Sequence, residues 1–337
     1  MTSRNSLLLL AAVVLTAATP SRPSAANLLR AAMTAPERVS YVGEVQVLRI
    51  GSERSDAAVY RIEHLAPNLT RRWYLAPQDL YGDSIISRGE TTYSIDVKQE
   101  RVLVSHDSQI DDQIALDDNF GVLMANYTAS YAPDQTVDAR PVHVVLLTNR
   151  YTGEITERVL IDAKTDLVLE RLQYAANGSL IAQTRVEQIR YTGSIPPDIF
   201  ALPKGLRRVA GTSRALPSSD VAQVISQAGF PASTPKYLPE GFTPIAADVI
   251  AIKDVPTLHV LFSDGIRTVS LFQNDKNAAI DLSRYRVSNT TVGSAGARYV
   301  EDGPTTLLAW AHGDRHYALV GELPLKELEK IAASVLP

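Results

Sequence analysis

The sequence of 337 residues contains no cysteine. This absence excludes disulfides, a thiol nucleophile, zinc or iron–sulfur sites with cysteine ligands, and lipid attachment to an N-terminal cysteine. Basic residues are not in excess either, because the sequence has 33 lysines and arginines and 37 acidic residues, which gives a formal net charge of −4. The chain therefore lacks the basic footprint that is typical of nucleic-acid-binding proteins.

Catalytic and metal-binding motifs are missing as well. The sequence has no Gly-x-Ser-x-Gly elbow, no His-Glu-x-x-His and no glycine-rich phosphate loop, and no recognised motif pairs a serine nucleophile with a histidine base. His312 and His316 are four residues apart, but the intervening Gly313-Asp314 predicts a hairpin turn rather than a metal-binding helix. The acidic run at 107–118 lacks the central glycine of a calcium loop. We therefore expect a protein that is not an enzyme and that binds no cofactor and no metal ion.

The N-terminus has the pattern of a secretory signal. Arg4 precedes an apolar run at 7–18, and small residues then offer cleavage after Ala18 or after Ala26. The run is shorter than the roughly 20 apolar residues of a membrane-spanning helix, and no later stretch approaches that length. The sequence thus predicts a signal peptide at 1–26 and a soluble exported protein that is not a lipoprotein. An uncleaved membrane anchor is the alternative.

Residues 27–204 have the pattern of one β-rich domain. Asn27–Arg38 carries apolar residues at helical spacing, and a second helix is predicted at 113–127. Elsewhere, short segments rich in Val, Ile, Thr and Tyr alternate with turn residues, as in Tyr41–Ile50 and Leu180–Arg190. Frequent turns between short strands favour an antiparallel sheet over βαβ units. The prediction is one large curved antiparallel sheet with two helices, an α+β fold.

A change of composition predicts a linker at 205–219. Over residues 203–219, prolines, glycines and serines are combined with basic residues that could meet acidic lipid head groups or an acidic partner segment, namely Lys204, Arg207, Arg208 and Arg214. A linker whose basic residues only improve solubility is the alternative. A second, smaller domain is predicted at 220–337, with a helix at 220–228, several strands, and a closing helix after Pro324.

The apolar side of the first sheet is a candidate lipid-binding trough. A long antiparallel sheet with a helix on one side can curve until its concave face encloses a cavity. The candidate wall residues come from early and late strands: Val45, Val47, Tyr60, Ile62, Trp73, Leu75, Leu146, Leu160, Leu169 and Leu172. The same residues would also form an ordinary core between sheet and helix, and alternation in sequence does not distinguish a filled core from an open trough.

Several segments, in order along the chain, resemble the MucB/RseB family, whose N-terminal domain is similar to the LolA lipoprotein carriers. In the first domain they are Ser40-Tyr41-Val42-Gly43 and the stretch Arg158–Lys204, with Ile161-Asp162, Thr165, Leu167, Gly178, Leu180, Ile189, Pro197, Phe200 and Leu202-Pro203. In the second domain they are Leu238-Pro239-Glu240-Gly241-Phe242, Phe262-Ser263-Asp264-Gly265, Val269-Ser270-Leu271-Phe272, Val320-Gly321-Glu322-Leu323-Pro324 and Ile331-Ala332-Ala333-Ser334-Val335. Residues 105–140 and 274–296 show no such likeness.

The resemblance implies a half-open β-barrel, with helices plugging its concave side, joined to a smaller α/β domain. It also implies a periplasmic negative regulator of an extracytoplasmic-function (sigma-E-type) sigma factor. Such a regulator binds the periplasmic part of a membrane anti-sigma factor and shields it from proteolysis until lipid or lipopolysaccharide is captured by the first domain. No residue that contacts the anti-sigma factor carries over from the resemblance.

Two other functions are compatible with the sequence. The first is a periplasmic lipid or lipoprotein carrier of the LolA type, although simple carriers usually lack a second domain. The second is a hydrolase of envelope material, for which the sequence offers no recognisable catalytic set.

Overall fold

A computed structural model describes residues 22–51, 55–89, 91–105, 120–210, 218–252, 254–275, 282–283 and 285–336. Within them the chain forms a sheet of 12 strands followed by a sheet of seven strands, together with short helices. None of the helices in these ranges has the length and apolar character needed to span a bilayer. The N-terminal 21 residues, the acidic run at 107–118 and Arg214 lie outside the described residues.

The first domain contains helices α1 (Ala25–Thr34) and α2 (Phe120–Asn126) and 3₁₀ turns at Ala35–Glu37 and Pro197–Phe200. Its strands are β1 (Tyr41–Ile50), β2 (Ser55–Leu65), β3 (Leu69–Ala76), β4 (Ser84–Arg88), β5 (Thr91–Asp96), β6 (Arg101–Ser105), β7 (Tyr127–Val137), β8 (Arg140–Asn149), β9 (Ile155–Asp162), β10 (Val168–Tyr174), β11 (Leu180–Tyr191) and β12 (Arg207–Ala210).

The second domain contains helices α3 (Val221–Ser226) and α4 (Leu325–Val335). Its strands are β13 (Thr243–Ile252), β14 (Val255–Ser263), β15 (Thr268–Asn274), β16 (Ser288–Val292), β17 (Ala295–Asp302), β18 (Thr305–His312) and β19 (Arg315–Gly321).

The strand order of the first sheet is β12-β6-β5-β4-β3-β2-β1-β11-β10-β9-β8-β7. Most neighbours are consecutive antiparallel strands, and the pairing of β1 with β11 joins the early strands to the late ones. At one edge, β12 pairs in parallel with β6, so that Arg207 lies opposite Arg101. Part of the predicted linker therefore extends the first sheet.

Contacts across several strands show that the late part of the first sheet is rolled. Arg140, at the start of β8, donates a hydrogen bond of 2.9 Å to the carbonyl of Ile189 in β11. Asp138, in the β7–β8 turn, accepts one of 3.1 Å from the backbone N–H of Gln188. In a flat sheet, β8 and β11 would be about 14 Å apart, since neighbouring strands are ~4.8 Å apart. The sheet is thus curved but unclosed, and the predicted α+β fold with a large curved sheet and a smaller second domain is confirmed.

Helix α1 packs its apolar residues Leu28, Leu29 and Ala32 into a buried cluster with strands β8 and β9. It begins two residues before the predicted start, because the side chain of Ser24 accepts a hydrogen bond of 3.2 Å from Asn27 N–H and so caps the helix. Arg22 precedes this cap and forms an ion pair of 2.6 Å with Asp134. Part of the segment predicted as signal peptide is therefore integrated into the fold.

The second sheet has the order β13-β14-β15-β19-β18-β17-β16 and is covered on one face by α4. The predicted apolar face of the closing helix is confirmed, since Leu328, Ile331 and Val335 are buried against the sheet. The predicted hairpin at Gly313-Asp314 is confirmed as the turn between β18 and β19. Strands β16 and β17 were not predicted, because β16 is short and carries mostly polar residues.

Candidate functional site at the junction of the two domains

The residues predicted to line a lipid trough do not share one open surface. Six of them are buried together in one apolar cluster, and Leu172 packs against it: Val45, Val47, Tyr60, Ile62, Leu160 and Leu169. Trp73, Leu75 and Leu146 are half-buried. The cluster is filled by the protein's own side chains in this conformation.

Strand register explains the division of the trough residues. Tyr60 pairs with Tyr74, whereas Trp73 pairs with Arg61, so Trp73 lies on the face of the sheet opposite to Tyr60. Leu146 and Leu172 both pair with Arg158, and Leu172 also pairs with Gln183, which lies opposite Leu48. Leu146 and Leu172 therefore lie on the face of Leu48 and Arg158, which also carries Leu160 of the buried cluster, two residues after Arg158 in β9.

The basic residues predicted to contact an anionic partner are exposed where the structure describes them, namely at Lys204, Arg207 and Arg208. Arg207 and Arg208 are neighbours in β12, so their side chains leave opposite faces of the sheet edge. They do not form one continuous patch.

The two domains meet at the turn between β14 and β15, and Asp264 lies at the centre of this contact. The Asp264 side chain is 1% exposed. Its Oδ1 accepts hydrogen bonds from the backbone N–H groups of Ile266 (2.9 Å) and Arg267 (2.7 Å), which shape the turn. Its Oδ2 accepts a hydrogen bond of 2.6 Å from the hydroxyl of Tyr127 in the first domain. Burial, together with the adjacent Asp264 carboxylate, raises the pKa of Tyr127, so this residue remains a hydrogen-bond donor.

Asn126 reinforces the same contact. Its Nδ2 donates to the carbonyl oxygens of Gly241 (2.8 Å) and Asp264 (3.0 Å), both in the second domain. Its Oδ1 accepts from the hydroxyl of Tyr151 at 3.0 Å. Asn126 is 5% exposed and bridges the two domains, although it begins an Asn-x-Thr pattern of the kind found in exposed turns.

Two glycines allow the backbones of the domains to approach closely. Gly265 has a φ of +99°, and a Cβ atom at this position would lie 2.5 Å from the Cα of Leu123 in α2. Gly241 has a φ of +87°, and its Cβ would lie 2.9 Å from Cγ of Asn126. Only glycine fits these two positions, since both the backbone conformation and the space exclude a side chain.

A second contact region is electrostatic. Glu322 follows β19 and interacts with Arg49 and Arg171 of the first sheet. Beneath it, the fully buried Glu157 accepts hydrogen bonds from Arg171 Nη2 (2.6 Å) and Gln173 Nε2 (2.8 Å). Burial raises the pKa of Glu322 above its ordinary value, although the arginines oppose this effect. A cleft of about 240 Å³ opens between Arg49 on the first sheet and the turn at 302–305 on the second.

Three of the segments that carry the resemblance supply this junction from the second domain. They contribute Gly241 from 238–242, Asp264-Gly265 from 262–265, and Glu322 from 320–324. Sequence reasoning missed their partners in the first domain, Asn126 and Tyr127, because the contacts span more than 100 residues of chain. The contacts between the domains therefore account for the glycines and acidic residues in these three segments.

A Ser–His–Asp arrangement lies in the second sheet, where no sequence pattern predicted it. His259 Nδ1 lies 2.7 Å from Asp248 Oδ1, and His259 Nε2 lies 2.9 Å from Ser270 Oγ. Ser270 is in β15, which is paired on both sides, so the backbone N–H groups around it are committed to the sheet. Acyl transfer needs free N–H donors beside the nucleophile to stabilise the oxyanion. We therefore interpret the arrangement as a polar link across three strands.

Replacing Tyr127 by phenylalanine is expected to lower the free energy of unfolding by about 2 kcal/mol, since it removes a hydrogen bond to a buried carboxylate. Urea denaturation monitored by circular dichroism measures this loss. Tyr131 in the same strand is the control, because its hydroxyl donates only to the exposed carbonyl of Pro23 (2.8 Å). A loss from Tyr131→Phe as large as that from Tyr127→Phe would contradict the special role of the Asp264 contact.

Glu322 predicts a pH dependence of stability. Its pKa is raised on folding, so the folded chain binds more protons than the unfolded chain, and its contribution becomes less favourable as the pH rises above the ordinary glutamate pKa of about 4.5. The stability of Glu322→Gln relative to the native chain should therefore increase over this range. Urea denaturation at several pH values measures the difference.

Glu327 provides a control of opposite sign. Burial would raise its pKa, but hydrogen bonds from Lys330 Nζ (2.6 Å) and Tyr237 Oη (2.9 Å) outweigh burial and lower the pKa. Its contribution is present above the unfolded pKa and is lost as the pH falls, so the relative stability of Glu327→Gln should decrease with rising pH. Equal slopes for the two variants would refute the assigned difference.

Comparison with known proteins agrees with this architecture. Residues 228–336 match the family model of the MucB/RseB C-terminal domain. The fold is similar to that of MucB in the complex structure of Pseudomonas aeruginosa MucA/MucB, with a TM-score of 0.62, 16% identity, and coverage of 93% of this chain and 98% of that chain. It is also similar to MucB in complex with MucA(peri), with a TM-score of 0.62, 17% identity, and coverage of 93% and 98%.

A structure of MucB alone gives a TM-score of 0.54 and 17% identity, and covers 92% of this chain and 96% of that chain. No curated protein sequence matches the chain. The predicted resemblance is thus confirmed, by the family model for the second domain and by the solved structures for the fold of both domains.

Proposed function

We propose that this chain is a periplasmic negative regulator of an extracytoplasmic-function sigma factor, as the match of residues 228–336 to the family model of the MucB/RseB C-terminal domain suggests. In this role it binds the periplasmic part of a membrane anti-sigma factor and acts as a binding protein rather than an enzyme. Capture of lipid or lipopolysaccharide by the first domain weakens this binding.

The observation that carries the proposal is the two-domain arrangement. The fold is similar over 93% of this chain to MucB solved with MucA. The junction that holds the domains together is formed by Asp264, Gly265 and Glu322, from the segments that carry the family resemblance. The cleft between Arg49 and the turn at 302–305 offers a partner segment contact with both domains at once.

The filled apolar cluster favours the regulator over a LolA-type carrier. A carrier needs a cavity that accepts and releases cargo readily, whereas Val45, Tyr60 and Leu169 are almost fully buried among other side chains. A ligand that entered this cluster would have to displace side chains. It would alter partner affinity only by binding one domain arrangement more tightly than the other.

The test is calorimetric titration of the mature chain with the periplasmic segment of the anti-sigma factor from its own host. We expect saturable one-to-one binding that weakens when lipopolysaccharide is added. A variant in which Lys204, Arg207 and Arg208 are replaced by glutamate tests whether these exposed cations contact the partner. If the chain does not bind the anti-sigma segment but transfers a lipoprotein to an acceptor membrane, the protein is a carrier of the LolA type and not a regulator.

An exported protein loses its signal peptide by cleavage, and the fold favours one of the two predicted cleavage sites. Cleavage after Ala26 would remove Ser24, which caps α1, and Arg22, which pairs with Asp134. Cleavage after Ala18 would keep both. We therefore propose cleavage after Ala18, and the mass of the protein recovered from the periplasm tests it.

A further inference from the structure

An apolar groove of about 520 Å³ opens on the first sheet, between the β8–β9 turn and the β10–β11 turn. Its walls are mainly aliphatic and aromatic: Leu146, Ile155, Tyr174, Ala175 and Ala176. Ile155, at the start of β9, is 44% exposed, so a ligand can reach it. The volume lies within the ~300–1,000 Å³ of typical ligand sites.

Arg158 is the cation of this groove. It lies in β9, directly between Leu146 of β8 and Leu172 of β10, and it is half-buried. Within the part of the chain that the structure describes, its guanidinium has no ion pair and no side-chain hydrogen bond. Glu154 also lines the groove, but within the described residues it forms no ion pair with Arg158. A half-buried guanidinium between two leucines lacks both full hydration and a counter-ion, so it favours an anion that can enter with an apolar chain.

We propose that this groove binds an alkyl or acyl chain that ends in an anionic head group. The chain lies against Leu146, Ile155 and Tyr174, and the head group pairs with Arg158. The inference rests on the lipid-sensing part of the proposed function. It assigns the ligand to the exposed groove beside Leu146 and not to the buried cluster that contains Val45 and Val47.

Calorimetric titration of the mature chain with dodecanoate, below its critical micelle concentration, tests the inference. We expect saturable binding of one equivalent, and weaker binding of dodecyl maltoside, which has the same chain length and no charge. Arg158→Gln should weaken dodecanoate binding at least about tenfold. Ile155→Asp should abolish it, and because Ile155 is exposed, its circular dichroism spectrum should stay native.

Two further variants separate charge at the groove from charge in general. Arg190 is an exposed arginine in β11 outside the groove, and Arg190→Gln should leave the dissociation constant unchanged. Glu154→Gln removes the carboxylate that lines the groove and should tighten dodecanoate binding. Equal affinities of the native chain, Arg158→Gln and Arg190→Gln would overturn the assignment of Arg158.

The outcome is distinguishable from failure of the proposed regulator. Binding of the anti-sigma segment is titrated separately on the same proteins. If dodecanoate binds as described but the anti-sigma segment does not bind, the ligand assignment to the groove is supported and the proposed regulatory function is refuted. If the anti-sigma segment binds but dodecanoate does not bind the native chain, the proposed regulatory function is supported and the ligand assignment to the groove is overturned.

Discussion

Replacing Gly265 by alanine should lower the free energy of unfolding by about 3 kcal/mol or more and loosen the junction between the domains. A Cβ atom would lie 2.5 Å from Cα and 2.6 Å from the backbone N of Leu123, and neither backbone atom can move without shifting α2. Overpacking costs ~1–3 kcal/mol, and a φ of +99° adds strain for any residue with a side chain. Urea denaturation measures the loss, and small-angle scattering measures the separation of the domains.

Gly82→Ala is the matched control. Gly82 has a similar φ of +90°, but a Cβ atom there would meet no other atom within 4 Å. It therefore carries the backbone strain without the collision, and the difference between the two variants isolates the contact with Leu123. If both variants lost the same stability, the close approach of the domains at Gly265 would be refuted.

Replacing Arg171 by methionine should cost about 3–5 kcal/mol, because Glu157 would keep only its hydrogen bond from Gln173. Glu157 is fully buried, and the Arg171 side chain that pairs with it is 11% exposed. The Glu157 carboxylate would remain buried without its counter-charge. Urea denaturation at pH 7 measures the loss.

Two controls accompany this variant. Arg38→Met breaks the ion pair between Arg38 and Asp166, whose side chains are 46% and 35% exposed, and should cost less than about 1 kcal/mol. The double variant Glu157→Gln/Arg171→Met removes both charges and should recover much of the loss. An equal cost for the Arg38 and Arg171 single variants would contradict a dominant role of burial.

Local patterns predicted the elements whose burial follows from their own sequence. The apolar stripe of α4 predicted both the helix and its buried face, because residues such as Leu328 and Ile331 repeat at helical spacing. Turn residues such as Gly313-Asp314 predicted a hairpin correctly, because the chain reverses within a few residues. These predictions require no knowledge of distant segments.

The trough and the junction depend on distant pairings that such patterns do not determine. Alternation places Trp73 and Leu75 on one face of β3, but only the register with β2 shows that this face is opposite to Tyr60. The register of β2 against β3 also shifts between Val59 and Tyr60, and the local sequence does not predict this shift. The contact of Tyr127 with Asp264 joins residues 137 positions apart, so only the assembled fold brings the two side chains together.

The four-residue strand β12 has a consequence for solution behaviour. Without it, β6 would present unpaired backbone groups at the edge of a long sheet, and such an edge recruits strands from other molecules. A short strand that carries Arg207 and Arg208 covers this edge with charge and so discourages edge-to-edge aggregation. Replacing these arginines could therefore promote self-association as well as weaken partner binding. Light scattering must accompany any titration of such variants, so that monomer lost to aggregates is not counted as lost affinity.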